Sequence, residues 1–73
     1  MAEVRTRDQV HEWIVAKVRE HQRCAAFAEE FRLLGSGAGW TCIATNRNDW
    51  DRDCLEAFDA ALANAQRRFE IRG

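Results

Sequence analysis

Gly35-Ser36-Gly37-Ala38-Gly39-Trp40-Thr41-Cys42-Ile43-Ala44-Thr45 is the stretch on which the reading of this chain turns. Glycines at 35, 37 and 39 permit positive φ angles, so the chain can reverse there in a short hairpin loop. The six residues that follow are of strand-forming type. A lone strand leaves its backbone donors and acceptors unpaired, so it needs a partner. The nearest partner is residues 28–34, where Phe31 and Leu33 share one face. The competing reading carries the first helix on to Leu34, with Phe27, Phe31 and Leu34 at helical spacing and no breaker between them. The need for a strand partner favours the hairpin. In the return strand Trp40, Cys42 and Ala44 then lie on one face, and Thr41, Ile43 and Thr45 on the other.

On either side of the hairpin the apolar spacing is helical. Thr6-Arg7-Asp8-Gln9 matches a capping box. Beyond it Val10, Trp13, Ile14, Val18 and His21 form one stripe, which predicts a helix over 7–22. Asn46-Arg47-Asn48 is turn chemistry, and Asn48 or Asp49 is the expected cap of a second helix over 49–69. Asp49, Asp51 and Asp53 crowd its start and Arg67, Arg68 and Arg72 its end, opposing the partial charges of the helix dipole. Leu55, Phe58, Leu62, Ala65 and Phe69 keep the three-and-four rhythm, widened by Cys54 and Ala61. With strands over 28–34 and 40–45, the expected fold is α+β: one small globular domain over 1–73, a two-layer helix-strand-strand-helix with the antiparallel hairpin covered by two helices.

At 73 residues the chain buries a thin core, about 60% of the surface its unfolded form exposes, and chains of this size often self-associate. Eleven basic residues against twelve acids give a net charge of −1, which disfavours general nucleic-acid binding. No apolar run is long enough to span a bilayer. Met1-Ala2-Glu3-Val4-Arg5 lacks the apolar centre of a signal peptide, so cytoplasmic location is the expectation. Ten Arg against one Lys, with abundant Ala, reads as a small bacterial protein from a GC-rich genome. Three cysteines, an odd number, fit a disulfide framework poorly, and reduced buried thiols are expected.

No catalytic, nucleotide or metal motif rises above chance. The glycine loop precedes a strand instead of opening a helix, and so reads as a hairpin turn and not as a phosphate cradle. His21-x-x-Cys24 has zinc-knuckle spacing, but Cys42 and Cys54 do not supply the second half. Cys54 lies near a helix start, yet three aspartates beside it oppose thiolate formation. No catalytic residue, metal or cofactor is therefore assigned. The candidate partner-binding residues are Trp40, Arg47, Trp50 and Arg52, an aromatic–arginine patch of the kind found at interfaces. They imply a non-enzymatic protein-interaction or regulatory module, partnered by another protein or by itself as a homodimer. The alternatives are nucleic-acid binding through Arg47, Arg52 and Arg67 beside exposed tryptophan, and a small ligand- or metal-binding protein.

Overall fold

The hairpin is present. In the computed structural model, which describes residues 2–72, β2 (Phe31–Leu34) pairs antiparallel with β3 (Thr41–Ala44), placing Phe31 opposite Ala44 and Leu33 opposite Cys42. Residues 27–34 therefore do not continue the first helix. Phe31 and Cys42 are buried on the inner face, while Ile43 and Leu34 stand outward. The turn is longer than a minimal hairpin loop, and it is held. Gly35 and Gly37 take φ of +81° and +66°, the left-handed region where glycine carries no Cβ penalty.

α1 (Arg7–Arg19) opens on the expected capping box: Gln9 N–H donates to the Thr6 hydroxyl, and Gln9 Oε1 accepts from Thr6 N–H. Its buried stripe is Val10, Ile14 and Val18, joined by Val15. The helix stops short of residue 22. His21 is extended (φ −96°, ψ 102°) and exposed, not part of the stripe. Gln22–Phe27 then forms a 3-10 turn, which tucks Cys24 and Ala28 into the core before the chain enters β2. Because the 3-10 turn runs to Phe27 with Ala28 as its cap, β2 starts at 31 and not at 28.

The second helix, α2 (Arg52–Arg68), is shorter than 49–69 at both ends. Neither Asn48 nor Asp49 caps it. Asn46 takes a left-handed conformation, Arg47–Asp49 makes a 3-10 turn, and Asp51 is the N-cap without a side-chain hydrogen bond. The extra turn lets Trp50 fold inward to 5% exposure. At the far end Phe69 leaves the helix, and Phe69–Ile71 becomes β4.

β4 pairs in parallel with β1 (Glu3–Arg5). Neither strand is expected from the sequence. Gly37 and Ile71 exchange two backbone hydrogen bonds (2.8 and 3.1 Å), which tie the hairpin loop to β4. Arg7 adds a clamp, its guanidinium donating to the carbonyls of Leu33 and Gly35 (3.2 and 2.8 Å). The result is an α+β fold of two packed helices against the inner hairpin face, with a short parallel ribbon joining the two ends of the chain.

One row of aromatic rings holds the layers together. Phe27 stacks on Trp50, Trp50 meets Phe58, Phe58 meets Phe31 and Phe31 stacks on His11, with centroid separations of 4.6 to 5.3 Å. Such pairs add about 0.5–1.5 kcal/mol each beyond area burial. The row links the 3-10 turn, α2, β2 and α1 in turn, so all four elements depend on it.

Candidate functional site

The four residues expected to contact a partner do not form a patch. Trp40 is 1% exposed; its indole N–H donates to the Phe69 carbonyl (2.9 Å), and its own carbonyl accepts from Gln66 (3.0 Å). Trp50 is buried as well, its indole N–H donating to the Thr45 carbonyl (3.0 Å). Neither ring is offered to a partner, which corrects the expectation that Trp40 and Trp50 are contact residues. Arg47 pairs with Asp59 across 3.6 Å, Arg67 donates to Asn64 (2.9 Å), and Arg52 is exposed. Arg47, Arg52 and Arg67 lie on the surface, whereas both tryptophans lie in the core. The signals were present: Trp40 alternates with Cys42 on the inner strand face, and Trp50, Cys54 and Phe58 recur every four residues.

The cysteines also differ from expectation. Cys24 and Cys54 form a disulfide, with 5.4 Å between Cα atoms, within the ordinary range for such bonds. An odd count requires one unpaired cysteine, and here that is Cys42 alone. Cys42 is free and buried, and burial pushes its thiol up to about 12, so it stays protonated and unreactive. Cys24 and Cys54 are committed to each other, which removes them from any set with His21. Among the described residues no three His, Cys, Asp or Glu side chains are placed to share a metal ion. The glycine loop is no open anion cradle, because the Gly37 N–H is taken by Ile71.

Mass spectrometry after alkylation checks this state directly. Unfolded without reductant, the chain should take up one iodoacetamide label, at Cys42; after reduction it should take three. Three labels without reductant would dismiss the bond.

Two surface features stand out, the first legible in part from strand alternation and the second not. The first is the outward face of the hairpin. Leu34 and Ile43 are 43% and 50% exposed. The register places them diagonally on one sheet face, beside Arg32 and Thr41. The second is a cleft of about 290 Å³ where β1, α1 and the end of α2 meet, lined by Glu3, Arg5, Gln9, Trp13, Arg68 and Phe69. Trp13 is half-buried there, edge-on to Phe69 at 5.4 Å. Arg68 lies over both rings at 5.8 and 6.0 Å, and Arg5 lies over Phe69 at 6.0 Å. Glu3 accepts two hydrogen bonds from Arg5. That contact, with a smaller contribution from Arg68, holds the Glu3 carboxyl below its ordinary value. The cleft is assembled from β1 and β4, so a sequence reading without those strands does not find it.

Compared with protein-family models, with curated proteins and with solved structures, the chain matches none of them.

Proposed function

We propose that the chain is a non-enzymatic interaction module that associates with a second copy of itself through the outward face of the hairpin. The observation that carries this reading is the exposure of Leu34 and Ile43 on one sheet face. Two-fold packing would set Leu34 and Ile43 of each copy against those of the other, an isologous contact. The patch is small against the roughly 800 Å² per partner of a stable complex. The expected dimer is therefore weak, with Kd on the order of 10–100 μM.

Sedimentation equilibrium tests it. The wild type should dimerise in that range, and the double variant Leu34→Thr/Ile43→Thr should weaken association at least ~10-fold. Both side chains are exposed, so the unfolding midpoint should barely change, within about 0.5 kcal/mol. A wild-type chain that stays monomeric at several times ~100 μM rules out self-association through this face. Nucleic-acid binding draws less support. Its arginines are exposed, but the tryptophan meant to stack bases lies in the core.

The same reading bears on location. No helix of the described residues is long and apolar enough to cross a membrane. Cytoplasmic location, expected from the N-terminal residues, goes with reduced thiols. A bonded Cys24–Cys54 pair persists best in an oxidising compartment, and we place the module there.

A further inference from the structure

We propose that the cleft between β1, α1 and the end of α2 binds a small organic carboxylate, its acid group bridging Arg5 and Arg68 and its apolar body resting on Trp13 and Phe69. This site lies apart from the hairpin face and does not depend on self-association.

The argument starts from the cations. Arg68 is held over two aromatic rings, and no carboxylate among the described residues lies within 4.0 Å of it, whereas Lys17, which also stacks on Trp13, is already paired with Glu20. A guanidinium stacked on rings keeps its in-plane N–H donors free for an oxyanion, with fork geometry that suits a carboxylate. Arg5 also lies over Phe69 and already carries a carboxylate, that of Glu3, which feels the charge of Arg68 as well. Glu3 thus shows what the site accepts, and it is exposed enough to be displaced: its side chain is 60% accessible. The walls supply the rest. Val10, Trp13 and Phe69 give an apolar surface, and about 290 Å³ has room for one ring and a short acid chain. Ligand sites commonly combine such a wall with a few convergent polar groups.

Glu3 makes the proposal sharply testable. As an internal competitor, its removal should strengthen binding; as a mere support for Arg5, its removal should weaken it. The probe is 3-phenylpropionate, followed by the NMR shift of the Trp13 indole N–H. Trp40 and Trp50 are buried and serve as internal references. Saturable binding in the low millimolar range is expected. Arg68→Gln should weaken it at least ~10-fold, because a charge-assisted fork is lost. Glu3→Gln should tighten it about 3-fold by removing a like charge. The neutral analogue 3-phenylpropanol should bind at least ~10-fold more weakly than the acid.

A free acid and the C-terminus of a peptide share this chemistry. Tighter binding of N-acetyl-glycyl-phenylalanine than of 3-phenylpropionate supports the site with a peptide terminus as its natural occupant; the reverse order supports it with a free acid. No saturable shift at ~20 mM overturns the proposal. So does equal binding of the alcohol, or weaker binding by the Glu3→Gln chain.

Discussion

Reducing the Cys24–Cys54 bond should lower the stability of the native chain by roughly 3.5 kcal/mol, with the fold retained at low temperature. The magnitude follows from the loop the bond closes. The two cysteines are 30 residues apart in sequence, and the loop between them contains the whole hairpin. Cross-linking a loop of that length removes about 12 cal/mol/K from the unfolded ensemble. A chain of this size has a total stability on the order of 4–11 kcal/mol, so the bond carries a third of it or more. Urea unfolding of the oxidised chain, the reduced chain and Cys24→Ala/Cys54→Ala provides the measurement. The reduced chain lacks only the cross-link and keeps both buried sulfurs as thiols, whereas the double variant loses the sulfurs too and should be slightly less stable. Their m-values should rise, because the uncrosslinked unfolded chain exposes more surface. A loss below about 1 kcal/mol would mean that the bond restrains little of the unfolded ensemble.

The position of that bond explains why parity misleads. Cys24 ends up beside Cys54 only because the chain leaves α1 at residue 20 and enters a 3-10 turn, while α2 starts at Arg52 after its own 3-10 turn. Both departures come from long-range packing. Residues 22–28 have good helix propensity, yet Cys24 and Ala28 are drawn into the core. Local signals that need no distant partner were legible: the Thr6–Gln9 cap, the Val10–Ile14–Val18 stripe, the α2 stripe and the glycine turn. Signals that depend on the other end of the chain were not. Glu3–Arg5 and Phe69–Ile71 are each three residues long, too short for a period-two pattern. They are strands only because they pair with each other. Phe69 illustrates the point: it fits the α2 stripe and is buried, but it reaches the core from a strand. The cleft inherits this blindness, because two of its walls are those strands. The hairpin's outer face was legible in part. Alternation sets Ile43 outward, but the exposure of Leu34 depends on what the helices leave uncovered.

Trp40→Ala should be the most damaging single substitution in the chain, costing about 3–5 kcal/mol for the cavity and roughly 1–3 kcal/mol more for the carbonyl it strands. Trp40 is the largest of the fully buried side chains. It stands at the junction of three elements: it precedes β3, its indole N–H closes on the Phe69 carbonyl where α2 becomes β4, and its carbonyl is held by Gln66 from α2. Two variants separate packing from hydrogen bonding. Trp40→Phe keeps a ring in the cavity and removes the donor, so it should lose a part of the volume and the full hydrogen bond. Gln66→Ala leaves the ring in place and frees only a partly buried carbonyl, so it should cost about 1 kcal/mol. The expected order in urea midpoint is Gln66→Ala above Trp40→Phe, with Trp40→Ala lowest and unfolded at 37 °C when the disulfide is also reduced. A partner-contact role for Trp40 makes the opposite forecast, since an exposed ring can be truncated at a cost within about 0.5 kcal/mol. A Trp40→Ala chain as stable as the wild type would return that ring to the surface and, with it, remove the hydrogen bond that anchors the start of β4.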